Sequence, residues 1–548
     1  MKRRSFLTGS AGIAAADCLA YLTSGGAQSL SSSMAAAAED HRKESEAPNF
    51  LIYWFIEGGW MSYDMFSPVL PVRNDAKFGE MPRDPKAWDA FAQHMYRVKD
   101  LKPEEFRRHG QVFYGPLAED GKDMFNEMAI VSSMKTGGAH STERWRLHYG
   151  QYKTDLKARR EPHERTVLQA FCEATGRSYL LPNLNWHRWL SDGELDISQY
   201  PEGTGIYHAL GPVWAHSIYP QTPKYFRHLI GQTLAMRSDE RNKSVQRFLA
   251  QPRHQALADK NSPVLQSFAS ALDVYNRLLE GGQRGLEPSR LFNDAKLREE
   301  FRVSAEDEEI HFQAINGSQA RSKNTPNINV QAMMLYEMLT KGLSCTGWLE
   351  NRLVRGFDHH QSRESLGSNF PFDQRQMMRD ELWTPLRTLV GKLKSTEYKT
   401  TGKSYWDYTT IVITSEFGRM VNGDIAKILA NSSLSDEDKR KQILSQDIVA
   451  HNPVTSCAFM GPRVRGGVQF GMAGQKTMQP IPIHAKTGEM DPRFDADGNL
   501  KAGYTEASPG FVVANHGHTY ATALKLAGVS PQGVGRNEET FLPFVMKG

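Results

Sequence analysis

The sequence predicts an α/β fold on a largely parallel central sheet, and three observations carry that prediction. Continuous apolar runs of strand length, such as "FLIYWFI" (50–56) and "TTIVITS" (409–415), suit strands covered on both faces. Segments of helical period stand between such runs, and strand–helix alternation favours parallel pairing. Acidic and histidine residues follow the runs directly, where open α/β sheets present their functional groups.

Each element has its own signal. "PNFLIYWFIEGG" reads as the first strand, closed by Glu57 and two glycines. "MAIVSSM" (128–134) is a second strand; Gly137 and Gly138 turn the chain, Ser141 or Thr142 can cap, and Glu143 opens a helix. "RTVLQAFCEATG" is a short helix stopped by Gly176. Residues 221–325 are charged, helical in period and close on the polar loop "GSQARSKNTPN", as a helical insertion would be. "NVQAMMLYEMLTKGLS" returns as an amphipathic helix that feeds the strand "CTGWLENRL". "RDELWTPLRTLVGKLKSTEY" then places Leu382, Leu386, Leu389, Val390 and Leu393 on one helical face. "TTIVITSEFGRM" follows as the next strand, and Glu416 stands at its end.

Composition narrows the function classes. Of 548 residues 39% are hydrophobic and 23% charged, with a formal charge of only +4, so the chain reads as globular and its scattered basic residues do not call for nucleic acid. The first 38 residues differ: adjacent Arg3 and Arg4, Phe6-Leu7, a weakly apolar stretch broken by Asp17, then "SSSMAAAAED". This pattern resembles a twin-arginine export signal, which implies passage through the twin-arginine translocase and a periplasmic or otherwise exported product comprising residues 39–548. The apolar stretch is too short and polar for a spanning helix, so no stable membrane span is expected after cleavage. Cleavage leaves Cys172, Cys345 and Cys457, a sparse odd set that argues against a disulfide scaffold.

Chemistry-bearing residues gather after the predicted strands. Asp358, His359 and His360 suit a divalent transition metal or, equally, a hydrogen-bonded loop pair. Asp447 and His451 would share a face in a helix; otherwise His451 is a loop histidine. His516 and His518 follow an apolar strand, point the same way in extended backbone, and precede a helix starting near Thr519. Glu57 and Asp64 flank a glycine turn. His140, Ser141 and Thr142 stand at a helix start, where free N–H groups favour an anion; Arg144, Arg146 and Arg419 could add positive charge for phosphate or sulfate, or form ordinary ion pairs.

The order of these segments resembles the alkaline-phosphatase/sulfatase-like superfamily. "PNFLIYWFIEGG" is similar to its first strand, "GGAHSTERWRLHYGQY" to its nucleophile turn and helix, and "TTIVITSEFGRM" to the strand that delivers a late metal carboxylate. "GFDHH" and "SEFGR" resemble marks of an uncharacterised twin-arginine-exported family within it, a domain of unknown function. The resemblance implies an alkaline-phosphatase-like fold and one or two divalent ions (Zn, Ca, Mg or Mn). Glu57, Asp64, Asp358, His360, Glu416, His451, His516 and His518 would be the ligand candidates. His140 stands where relatives carry the nucleophile, with Ser141 or Thr142 taking that place if the register slips, and Phe417 replaces a usual ligand. The implied activity is metal-dependent hydrolysis of a small anionic phosphate or sulfate ester. The departures at His140 and Phe417 equally fit a non-catalytic exported binding or assembly protein.

Overall fold

A computed structural model describes residues 48–62, 65–67, 108–138, 140–150, 165–176, 179, 181–186, 220, 222–224, 226–227, 290–308, 326–351, 377–421, 428, 431–435, 437–438, 441–442, 449–474, 479–531 and 540–548. The leader, most of the 221–325 insertion, Asp64, Asp358, His360 and Asp447 lie outside these residues.

The described elements, in chain order, are strands β1 (Phe50–Ile56), β2 (Trp60–Met61) and β3 (Met128–Lys135), and helices α1 (His140–Tyr149) and α2 (Val167–Thr175). Strand β4 (Asn183–Asn185), helices α3 (Ala295–Glu300) and α4 (Ile328–Thr340), strand β5 (Thr346–Glu350) and helix α5 (Thr384–Ser395) follow. The chain continues through β6 (Thr409–Ser415), β7 (Gly418–Val421), β8 (Val449–Asn452), β9 (Val454–Met460), β10 (Val468–Phe470) and α6 (His516–Leu526). Seven strands form one mixed, mostly parallel sheet in the order β10-β3-β9-β6-β1-β5-β4. Every residue of β1, β6 and β9 is buried, which is why those segments read as unbroken apolar or small-residue runs. Strand β9 departs from parallel pairing, running antiparallel to both β3 and β6.

The chain divides into two compact units. In the unit comprising residues 1–52, 153–349 and 388–409, β4 pairs in parallel with β5, and α4 packs on β5. That packing needs Gly347, where a Cβ would stand 2.6 Å from two Leu335 methyls. Thr166 caps α2 by accepting the Gln169 N–H at 3.1 Å. In the unit comprising 53–152, 350–387 and 410–548, α1 packs against α6 and a small three-stranded sheet runs β8-β7-β2. Among the described residues no helix is long and apolar enough to cross a membrane.

Three local expectations are corrected. Helix α1 begins at His140, not Glu143, so Ser141 and Thr142 lie inside its first turn instead of capping it. Helix α6 begins at His516, not near Thr519, because the Asn515 side chain accepts the Gly517 and His518 N–H groups. His516 and His518 therefore diverge around a helix instead of sharing an extended face. His451 lies on strand β8, so no helical face joins it to residue 447.

Beyond β1 the chain turns through Gly58 (φ 99°) and Gly59 (φ 83°), a conformation that costs an L-residue roughly 1–2 kcal/mol. A Cβ on Gly59 would meet the buried Phe417 ring at 2.6 Å. Strain and overpacking together predict that Gly59→Ala destabilises the protein by roughly 2–4 kcal/mol in urea unfolding, whereas an exposed turn glycine in open space, such as Gly402, tolerates Ala to within roughly the strain alone.

Candidate active site

Glu416 follows the seven buried residues of β6 and is itself 0% exposed. An ionised carboxylate in that position is stable only if donors replace its water. Its Oε1 accepts from the Gly58 N–H at 2.9 Å, from His140 Nδ1 at 2.9 Å, and from Arg144 Nη2 and Nε at 3.2 and 3.4 Å. Its Oε2 accepts from Ser415 Oγ at 3.1 Å. Burial alone would raise its pKa, but the charge of Arg144 and the hydrogen bond and charge of His140 outweigh it and hold the carboxyl at about 2.

These partners come from four stretches of chain. The glycine turn after β1 offers its Gly58 N–H to Glu416, while Gly58 O accepts from Arg419 Nε at 2.6 Å. Helix α1 carries His140, Arg144 and His148 at four-residue spacing, one face turned to the carboxylate. Arg144 Nη2 also donates to Glu57 at 2.8 Å, so a single guanidinium nitrogen joins two strand-end carboxylates. Burial opposes that charge, yet Glu57, Glu416 and Glu350 together raise the Arg144 pKa above its ordinary value. The Glu57 N–H is in turn held by Asn351 Oδ1, just past β5.

Three rings stand beside the pair. Phe417 is fully buried, 4.6 Å from the His140 ring centroid and 4.2 Å from that of His451. The two imidazoles are 4.9 Å apart and perpendicular. His451 Nδ1 bonds Gly138 O in the turn ahead of α1. The guanidinium of Arg419 lies 5.2 Å over the Phe417 ring; fully buried, it fastens the turn and does not face solvent.

Burial shifts the titratable groups around this network toward their neutral forms. His148 is drawn down to about 3 by burial and by Arg144. His516 is drawn down to about 4, chiefly by burial; its Nε2 donates to the Glu416 backbone carbonyl at 2.8 Å. Glu143, 0% exposed, is pushed up to about 7 by burial, against the pull of Arg146 and the Gly137 backbone and with a further push from Glu416. Neither of its oxygens makes a hydrogen bond of ordinary geometry, and Oε1 would lie 2.5 Å from a Cβ on Gly137.

Of the expected site residues, Glu57, His140, Arg144, Glu416, Arg419, His451 and His516 come together in this one unit. His518 is buried in the first turn of α6 with its N–H on Asn515 Oδ1. Thr142, half-buried, is two positions beyond His140 and so on another side of α1. The side chain of Ser141, like Asp64, Asp358 and His360, lies outside the described residues. Glu350 and Asn351 went unnoticed in the sequence although they obey the same rule, polar residues just past a strand. Glu143 had no sequence signal beyond its place at a helix start.

The arrangement fixes a chemistry. His140 donates its Nδ1–H to Glu416, and its side chain is 21% exposed although Nε2 itself is buried. That is an imidazole oriented by a buried carboxylate. Among the described residues no group of three His, Cys, Asp or Glu side chains has metal-holding geometry. Glu416 itself, already facing a guanidinium and three further donors, does not fit a cation.

Two outcomes follow. Arg144→Ala strands the buried Glu416 and takes a partner from the half-buried Glu57, and is expected to cost about 3–5 kcal/mol in urea unfolding, with near-native stability recovered only where Glu416 is also made neutral. The pH dependence has two opposed limbs. Glu416, His148 and His516 all have depressed values in the folded chain, so their contributions are complete above the unfolded values, about 4.3 and 6.5, and fade as pH falls toward 2–4. Glu143 is raised, so its contribution is complete below about 4.3 and is lost as pH rises through about 7. Glu143→Gln should therefore stabilise the protein by about 2–3 kcal/mol at pH 9 relative to its effect at pH 4, and equal effects at both pH values would refute the assignment. Compared with known proteins, the chain matches no family model and no curated protein.

Proposed function

We propose that the chain is an exported hydrolase of small phosphate or sulfate esters on an alkaline-phosphatase-like framework, with the Glu416–His140 pair as its reacting centre. The observation that carries this reading is the His140 imidazole, oriented by a fully buried carboxylate at the start of a helix and 21% exposed as a side chain, with Nε2 buried until a substrate and its water enter. A helix start favours the anionic ester group, and an imidazole with one nitrogen fixed by a carboxylate is the arrangement used for general-base catalysis. His140 Nε2 accepts the proton of the attacking water as oxygen bonds to phosphorus or sulfur. The imidazolium so formed is stabilised by Glu416 and returns the proton to the departing ester oxygen.

A divalent ion belongs to the superfamily resemblance, but the residues around Glu416 do not fit one, and no step above passes through it. Asp64, Asp358 and His360 carry that part of the reading. A second reading, an exported protein that binds an anion without turning it over, is favoured by one feature: the donors around Glu416 are complete without a ligand.

The decisive measurement is turnover of aryl phosphates and aryl sulfates by the purified protein. Activity is expected, with His140→Gln lowering kcat by about 10²–10⁴-fold and leaving KM within roughly threefold. Anion binding without turnover across that panel would overturn hydrolysis in favour of the binding reading. Chelation then separates two forms of the proposal: activity that survives it rests on the His140–Glu416 pair, whereas activity lost and restored by a divalent ion, and abolished in Asp358→Ala, rests on the metal.

A further inference from the structure

Cys172 on α2 and Cys345, the residue leading into β5, are both fully buried within one unit. Their side chains flank one point: a Cβ on Gly176 would lie 3.1 Å from Cys172 Cβ and 3.4 Å from Cys345 Sγ. The sulfurs also share polar surroundings. Cys172 Sγ is 3.8 Å from Thr346 Oγ1, that hydroxyl donates to Pro182 O at 2.9 Å, and the same carbonyl accepts from Cys345 Sγ at 3.6 Å. Burial, and then the Cys345 thiol beside it, raise the Cys172 pKa. Cys457 contrasts with them: it is buried in β9 of the other unit, with Thr414 and Thr519 as its polar neighbours.

We infer that Cys172 and Cys345 are a redox couple, a dithiol that closes to a disulfide tying α2 to the start of β5. The inference does not depend on the hydrolase reading, and it uses only thiol placement. The oxidant is a small-molecule or protein disulfide. One protein thiolate attacks it, forming a mixed disulfide and releasing one thiol; the second protein thiolate displaces the other half. One S–S bond forms in the chain, one breaks in the oxidant, and the two electrons and two protons leave with the oxidant as two thiols. Because buried thiols are inert in the closed state, exchange proceeds through local opening of α2. The couple is a single clamp, not a scaffold. It stabilises chiefly by restraining the unfolded chain across the 172–345 loop.

The test uses the full chain incubated with oxidised glutathione in urea below its unfolding transition, then alkylated, digested and read by mass spectrometry. Expected are a cross-linked Cys172–Cys345 peptide, an intact mass about 2 Da below the reduced protein, and Cys457 alkylated. Cys172→Ser and Cys345→Ser should each lose the cross-link, and Cys457→Ser should keep it. Two alkylated or separately glutathionylated thiols at 172 and 345, or a bridge to Cys457, would overturn the proposal. The wild-type mass readout decides the matter even where a serine variant folds poorly.

Discussion

The contact on which the second unit depends is the guanidinium of Arg144 between Glu57 and Glu416. Two strand-end carboxylates reach the same place, one of them wholly out of water, and their mutual repulsion there would exceed anything nearby packing supplies. One arginine answers both. To do so it must project from the first turns of α1, which fixes the position of that helix, and with it His140 one turn earlier. The glycine turn after β1 is bound to the same requirement, since the Gly58 N–H is one of the donors that make Glu416 tolerable.

A single arginine cannot serve every acid in the neighbourhood, and the remaining groups are handled by neutrality. Glu143, close enough to Glu416 to be pushed by its charge, keeps its proton to about pH 7. His148 and His516 stay unprotonated for the mirror reason: an added positive charge beside Arg144 or Arg146, without water, is unfavourable. The site thus holds its charge in few places. Glu416 and Arg144 are ionised, His148 and His516 are neutral at neutral pH, and Glu143 is the group that titrates there.

Much of this framework was legible in the sequence, and the failures have physical causes. Strands β1, β3 and β6 were readable because burial on both faces leaves an unbroken apolar signature, and the rule that polar residues just past such strands form the site found Glu57, His140 and Glu416. It did not single out Glu350 and Asn351 because the run "CTGWLENRL" reads as strand through both, whereas the strand ends at Glu350. The partner of Glu416 was not readable. Arg144 is 272 positions away in the chain, and sequence separation carries no information on which distant cation meets a buried acid. Helix starts failed where a cap ruled: Asn515 winds the backbone from His516 onward, turning a pair expected to project together into one that diverges. Residue 451 failed because four-residue spacing resembles a helix even where the chain is a strand pairing Ala450 with Met420 and His451 with Arg419.

Phe417 bears on what the histidines can do. Its ring touches both His140 and His451 and is itself fully buried, pinned from the other side by the Arg419 guanidinium. A hydrocarbon wall in that position offers no lone pair to a cation and excludes water from one flank of each imidazole. An imidazole so placed loses hydration on the side it cannot use, while the hydrogen bond to Glu416 orients the side it can. The same ring crowds Gly59, so the residue that shapes the imidazoles also demands the left-handed turn that presents the Gly58 N–H. Substituting a metal-ligating side chain for Phe417 would accordingly change more than one ligand: it would loosen the turn, remove a donor from Glu416 and release the orientation of His140. Phe417, the glycine turn and His140 are therefore one coupled feature of the packing around Glu416.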